Sequence, residues 1–441
     1  MDYQDIETRV PNLGEAKIPS PIQGGTRGAY SRSFVDDSER ILIDVNLDNL
    51  IMRAKEGKDF PSFELAGPRK KIYFDPSKLK SALVTCGGLC PGLNDIIRAI
   101  VLELFYGYGV NNVLGFRYGL QGFIPKYGHD VVELKSENVG NILEMGGSIL
   151  GSSRGSQPID EVVDTLERMN IGILFMIGGD GTLMAATKIA AAVAARGLKI
   201  SVIGIPKTID NDIYLVSRSF GFDTAVDVAT QAIKGAHNEA EAYPNGIGLI
   251  KLMGRHSGFI AATTALAQQE ANFVLIPEVD FDLEGPKGFL SALEKRLKLR
   301  GHAVIVVAEG AGQKFFENLT VDRDESGNIK LKDIGIFLKD KIASYFMSKN
   351  MDVSLKYIDP SYTIRSLPAN ASDAVFCSFL GRDAVHAGMA GKTELLIGRW
   401  NNYFVHLPMS ASAGKRKQVN PKEKLWLSVL GATGQGSLKN D

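Results

Sequence analysis

Cysteine is scarce in this chain of 441 residues, with three thiols: Cys86, Cys90 and Cys377. Three cannot staple a protein of this length, so a disulfide framework is excluded and a reducing compartment is expected. Cys86 and Cys90 are not half of a zinc site either, because no second ligand pair with suitable spacing follows them. The six histidines are scattered and predict no metal-ligand cluster. Net charge is absent too, with 50 basic residues against 50 acidic. No global field therefore points to nucleic acid or an anionic membrane as a partner, and any basic site must be local. No apolar run approaches the roughly 20 residues that span a bilayer. The acidic start Met1-Asp2-Tyr3-Gln4-Asp5 lacks the basic and apolar regions of a secretory signal. Leu438-Lys439-Asn440-Asp441 is neither a peroxisomal tripeptide nor a lipidation box. The expectation is a soluble, cytoplasmic protein.

What is present is a chain long enough for two or three domains, whose 44% apolar content can bury a substantial core. Residues 1 to about 75 stand apart. They carry Pro-, Gly- and Ser-rich pieces such as Pro19-Ser20-Pro21-Ile22-Gln23-Gly24-Gly25 and few periodic apolar runs, which predicts an extension packed on the body or on a neighbouring subunit. From about residue 80, β-rich runs alternate with helical periodicity. Strands are expected at 81–85, 113–116, 172–177, 201–205, 246–251, 273–276 and 303–307, and helices at 95–104, 158–169, 183–195 and 225–240. That alternation predicts an α/β protein with mainly parallel, helix-covered sheets. The stretch 312–332, with Asp324-Glu325-Ser326-Gly327-Asn328 at its middle, predicts a surface insertion around a turn.

Ligands of such sheets bind at the carboxyl ends of strands, and several segments fall there. Gly87-Gly88-Leu89-Cys90-Pro91-Gly92-Leu93-Asn94 follows the first strand and opens a helix. Its glycines let a backbone approach a phosphate and the helix start offers N–H groups, although an ordinary strand-to-helix turn would look the same. Gly178-Gly179-Asp180-Gly181-Thr182 repeats the pattern and adds a carboxylate. A carboxylate beside a phosphate cradle is costly unless a cation lies between, which suits Asp180 to magnesium and less well to a helix cap. Arg154, within Gly151-Ser152-Ser153-Arg154-Gly155, could reach a bound anion or make a surface salt bridge. None of these is a Walker loop or a dinucleotide fingerprint. Ala390-Gly391-Lys392-Thr393 resembles the end of a Walker loop, but His386 stands where the first glycine should, so Lys392 is expected in a solvated loop.

Pro206-Lys207-Thr208-Ile209-Asp210-Asn211-Asp212 puts a cation, a hydroxyl and two carboxylates in one turn. One carboxylate can take a proton from an attacking hydroxyl while the other orients the substrate or a cation's water. Lys207 can neutralise charge on a transferred phosphoryl group. An Asx-rich structural turn is the alternative. Met253-Gly254-Arg255, Glu309-Gly310 and Tyr362-Thr363-Ile364-Arg365 supply a guanidinium fork, an acceptor for sugar hydroxyls, and a phenol with a second guanidinium. His256, beside Arg255, is read as structural.

In this order, Gly-Gly-x-x-Pro-Gly-x-Asn, Gly-Gly-Asp-Gly-Thr, Thr-Ile-Asp-Asn-Asp, Met-Gly-Arg and Glu-Gly resemble the phosphofructokinases over roughly residues 75–410. The long extension, with Gly67-Pro68-Arg69-Lys70-Lys71-Ile72-Tyr73-Phe74, is similar to the ATP-dependent branch of plants, trypanosome-like protists and some bacteria. The resemblance implies two Rossmann-like α/β lobes plus the N-terminal extension. The expected division is an extension at 1–75, a nucleotide-binding lobe at 76–222 completed by part of 366–410, a sugar-phosphate lobe at 223–365, and a C-terminal tail at 411–441. It also implies transfer from Mg2+–ATP to the 1-hydroxyl of fructose 6-phosphate, the committed step of glycolysis, by a homotetramer whose catalytic lobes face across a cleft.

On that resemblance Asp210 is the base. Thr208, Ile209, Met253, Gly254, Arg255 and Glu309 line the sugar phosphate, and Tyr362, Thr363, Ile364 and Arg365 hold its 6-phosphate. Gly88, Arg154, Gly155, Gly179, Asp180, Gly181 and Thr182 contact the nucleotide phosphates, with Asp180 on the metal. Arg154 and Arg255 stabilise the transition state, with Lys207 and Thr208 beside the base. Pyrophosphate-using members typically carry Asp where this chain has Gly181 and Lys where it has Lys207, so the two positions disagree. Gly181 decides for ATP, because an aspartate would fill and repel where an α-phosphate and nucleoside must enter. Short bacterial members have an arginine where this chain has Gly246, and Lys356 is the candidate replacement. Effector sites of other branches do not transfer, because the extension and termini differ. The competing readings are a pyrophosphate-dependent enzyme, an NAD or lipid kinase, which shares Gly-Gly-Asp-Gly-Thr but lacks the later motifs, and a regulatory subunit with a decayed site.

Overall fold

Alternation of strand and helix produces an α/β architecture twice along this chain. The computed structural model describes residues 6–23, 34–316, 322 and 329–440. It divides into a first unit, 1–208, 213–221 and 367–416, and a second, 209–212, 222–366 and 417–441. Gly24, Gly25 and the turn Asp324 to Asn328 lie outside the described residues.

In the first unit nine strands form one sheet, in the order 40–42, 62–65, 403–408, 395–400, 201–206, 173–178, 80–85, 112–116, 131–133. The five from Leu395–Trp400 to Asn112–Phe116 are parallel to one another, and the margins are antiparallel. Ile173–Gly178 and Ser201–Pro206 are buried along their whole length. That is why they read as unbroken apolar runs and not as alternation. Helices Ile159–Arg168 and Asp180–Ala195 pack Val162, Val163, Leu166, Ala186, Ile189 and Val193 against Ala82, Val84, Leu174 and Met176 of the sheet. Helix Ala371–Met389 lies close against helix Leu93–Leu102, with Gly381 facing Ala99, while its Gly388 faces Ile173. The expected helix at 95–104 runs from Leu93 to Leu102 and continues as one wide turn, Glu103–Tyr108.

Two expectations need correction here. The N-terminal extension does more than pack on the body: Ser62–Leu65 pairs with Tyr403–Pro408, and Arg40–Leu42 forms the sheet's outermost strand. Lys392 is not solvated. It is 3% exposed, with Nζ 3.0 Å from Glu64 Oε1 and 2.9 Å from Asp37 Oδ2. Glu64 also meets Arg69 at 2.7 Å and His406 at 2.9 Å. This buried network ties the extension to the segment just after helix Ala371–Met389, and its hydrogen bonds and cations hold the Glu64 carboxyl far below the ordinary range despite burial.

The second unit has four parallel strands in the order 273–275, 302–308, 246–252, 354–358. Ile247, Leu249, Ile305 and Val307 form its core with Phe289, Leu293, Leu338 and Ile342 of the helices Phe289–Arg300 and Ile334–Ser348. The C-terminal segment covers the sheet edge, where Gln435 exchanges hydrogen bonds with the Val274 backbone at 2.6 and 3.2 Å. Among the described residues no helix is long and apolar enough to cross a membrane.

Candidate active site

In the first unit the strand order reverses at Lys80–Thr85: the next strand lies on one side of it, and Ile173–Gly178 returns on the other. A crevice at the carboxyl ends is the consequence, and such crevices take ligands. Both glycine loops leave from it. Gly92, with φ +96°, starts helix Leu93–Leu102, and a Cβ there would crowd Cys377 Sγ. Asn94 anchors the neighbouring 145–149 stretch, donating to Met145 O at 3.0 Å and accepting from Ile149 N at 2.9 Å. The Arg154 loop is stitched to the same place. Gly87 N donates to Ser153 O at 3.1 Å and Ser152 Oγ to Gly87 O at 2.5 Å, while Arg154 itself is exposed.

Gly179 precedes the helix Asp180–Ala195, so the Asp180 carboxylate sits in its first turn, where the helix dipole favours negative charge. Asp180 Oδ1 accepts from Gly414 N at 2.7 Å. A part-exposed, hard carboxylate oxygen beside a glycine cradle fits a divalent cation of the magnesium type. Thr182 is buried beneath Gly178. Gly181 is exposed, and a Cβ there would meet nothing within 4 Å. Lys207 is 5% exposed, with Nζ donating to Gly88 O at 2.6 Å, while its backbone N donates to Gly178 O at 2.9 Å. One residue thus joins both glycine loops. Thr208 O accepts from Ser219 Oγ at 2.7 Å.

The second unit holds the rest. Asn211 adopts φ +52°, a left-handed conformation that asparagine tolerates better than most residues, and this turns the chain between Asp210 and Asp212. Ser257 Oγ donates to Asp210 O at 3.2 Å. Met253-Gly254-Arg255 and Glu309-Gly310 leave adjacent strand ends and are joined by Glu309 N to Leu252 O at 2.9 Å and Gly310 N to Gly254 O at 3.1 Å. Gly254 has φ +129°, and a Cβ there would collide with Ser257 O. Burial raises the pKa of Glu309 against the opposing pull of Arg255, Lys251 and Arg365. Ser361–Ile364 is a short 3-10 turn after the fourth strand, with Arg365 stacked over Tyr362 at 4.8 Å. Tyr362 is exposed, whereas the Ile209 and Ile364 side chains are buried and serve as packing anchors.

Three contributors escaped sequence reasoning. Lys251 bridges Asp333 at 2.6 Å and Asp359 at 2.8 Å. Glu278 accepts from Gly258 N at 2.9 Å and Val419 N at 2.8 Å. Lys417 donates from its backbone to Asp212 O at 2.7 Å and from Nζ to Asn211 Oδ1 at 3.2 Å. Burial lowers the pKa of Lys417 to about 8 against the attraction of Asp212. The one signal that could have pointed to it is its place in the basic run Lys415-Arg416-Lys417. His256 acts through its backbone, accepting from Gln418 at 3.1 Å. Lys356, at the middle of its strand, pairs with Gly248 and lies over Tyr243 at 5.1 Å. Gly246 cannot carry a side chain, since a Cβ there would run into the Ala240 carbonyl. The scattered histidines also come together in one place, where His237 and His302 share a cluster with Glu241.

The phosphofructokinase family model matches residues 80–388. The chain belongs to the phosphofructokinase family. It is 49% identical over 446 residues to the ATP-dependent 6-phosphofructokinase of Borreliella burgdorferi, covering 99% of each chain. It is 47% identical to the enzymes of that name from Amycolatopsis methanolica (97% and 95% covered) and Trypanoplasma borreli (85% and 76%). Among solved structures, a pyrophosphate-dependent phosphofructokinase from Marinobacter aquaeolei matches with TM-score 0.65 and 20% identity over 81% of this chain and 92% of that one. At that identity the likeness shows the phosphofructokinase fold alone.

Proposed function

We infer that this chain phosphorylates D-fructose 6-phosphate at its 1-hydroxyl with ATP, giving fructose 1,6-bisphosphate and ADP, a step of glycolysis. The observation that carries the donor assignment is Gly181, exposed in the first turn after the cradle, with open space where a side chain would begin. The first unit acts as the nucleotide lobe and the second as the sugar-phosphate lobe. Gly88, Arg154, Gly155 and Gly179 to Thr182 hold the ATP phosphates. Asp180 supplies a hard oxygen ligand for the Mg2+ that accompanies ATP, and such an ion neutralises charge on the β- and γ-phosphates.

Asp210 takes the proton of the 1-hydroxyl as its oxygen bonds to the γ-phosphorus, and the bond to the β-phosphate oxygen breaks. Asp212 helps orient the turn. Thr208, Met253, Gly254, Arg255 and Glu309 position the sugar, with Tyr362, Thr363 and Arg365 at the 6-phosphate, and Ile209 and Ile364 anchor their turns by packing. Arg154, Arg255 and Lys207 stabilise charge on the transferring group. We also propose a cytoplasmic homotetramer; the exposed apolar residues Leu47, Ile51, Met52 and Phe60 of the extension support assembly. A coupled assay with fructose 6-phosphate, run with ATP and then with pyrophosphate, tests the assignment. Turnover with ATP is expected, and turnover with pyrophosphate alone overturns it.

A further inference from the structure

His237 and Glu241 are four residues apart on helix Phe222–Glu241, so they share one face near its end. His302 opens the strand His302–Ala308, and Glu270 lies in the connection after helix Phe259–Gln268. The fold brings His237, Glu241 and His302 together and sets Glu270 beside His237. His237 Nε2 is 3.3 Å from Glu270 Oε2 and 3.4 Å from Glu241 Oε2, and His302 Nε2 is 4.0 Å from Glu241 Oε1. The ligand atoms of His237, Glu241 and His302 all lie within 4.8 Å of one another. The two imidazole rings are 5.4 Å apart and inclined at 73°, so they are edge to face and not stacked.

These spacings have a chemical meaning. A charge-assisted N–H···O hydrogen bond closes to about 2.7–2.9 Å, and neither contact of His237 with a glutamate does. Ligands around a tetrahedral zinc-type ion with bonds of about 2.0–2.1 Å are separated by about 3.3–3.4 Å. Both distances from His237 match that edge. His237 Nδ1 is buried, which leaves Nε2 as the nitrogen able to take a ligand, and Nε2 faces the carboxylates. Two imidazoles with two carboxylates suit zinc and similar first-row ions, whereas magnesium prefers an all-oxygen shell.

We propose that His237, Glu241 and His302 form a site for a divalent transition-metal ion of the zinc class, with Glu270, 3.3 Å from His237, as the candidate fourth ligand. It stands at the start of the strand His302–Ala308, whose other end leads to Glu309. It is therefore separate from the sugar-phosphate residues at the strand ends. An ion there pins the end of one helix, the start of a strand and the connection after a second helix, and stabilises the second unit by binding only the folded state.

The test uses the full-length protein, stripped with a chelator and titrated with Zn2+ by calorimetry, with Co2+ absorption as a second readout. One saturable ion per chain is expected, with tetrahedral Co2+ bands, a higher melting temperature and binding that Asp180→Ala leaves intact. His302→Gln should weaken binding by about tenfold or more, on the scale of perturbed metal sites. Glu241→Gln, at the exposed end of its helix, should do the same, and it supplies the test if His302→Gln fails to fold. Absence of saturable binding, affinity unchanged in Glu241→Gln, or binding abolished by Asp180→Ala would overturn the proposal.

Discussion

Lys207 Nζ donates to the carbonyl oxygen of Gly88 at 2.6 Å, across 119 residues of sequence. Its backbone N–H meanwhile holds Gly178 O. The ammonium therefore fixes the spacing of both glycine loops and places positive charge between them. Lys207→Met removes a charge-assisted hydrogen bond of roughly 1.5–3 kcal/mol. We expect kcat/KM for ATP to fall by roughly 10- to 150-fold, with the KM for fructose 6-phosphate little changed. Steady-state kinetics with each substrate varied in turn checks this; an unchanged kcat/KM for ATP would remove Lys207 from the donor side.

Gly181→Asp isolates the donor choice, because the Cβ position is open and exposed. Stability should stay within about 0.5 kcal/mol of the parent, while ATP-dependent turnover collapses. Thermal unfolding and the coupled assay on one preparation separate the two effects. Unchanged ATP kinetics would refute the steric and charge argument at this residue.

Lys417 gives a pH signature. Its folded pKa of about 8 lies below the ordinary lysine value of 10.5, so above pH 8 the unfolded chain binds the proton more tightly. Stability contributed by this group therefore rises between pH 8 and 10.5, and the cost of the buried charge is fully present below pH 8. The parent should gain at most about 3 kcal/mol over Lys417→Met across that window. Denaturant unfolding of both proteins at pH 7.5 and 10 measures it, and a difference independent of pH contradicts the assignment.

Legibility from sequence followed the physics of each element. Strands such as Ile173–Gly178, buried on both faces, announce themselves as apolar runs. The glycines at their ends mark where backbone must approach a ligand or turn sharply. Helix Ala371–Met389 hid because its exposed stripe carries Val375 and Phe379, so apolar residues stand on both faces and blur the period. Ser62–Leu65 hid because four residues are too few for a pattern, and its pairing with Tyr403–Pro408 is purely long-range. The same limit concealed Lys392, whose partners Glu64 and Asp37 lie more than 300 residues away. Lys417 and the His237–His302 pair meet their partners only through tertiary packing. Motif residues bounded by strands were readable, and residues recruited from distant segments were not.

The account turns on Asp210 as the base. Asp210→Ala should lower kcat by about 10²–10⁴-fold, the usual worth of general-base catalysis, while fructose 6-phosphate binding, followed by calorimetry, changes only a few fold. A variant that keeps near-parental kcat, or whose loss lies wholly in sugar-phosphate binding, would contradict the account.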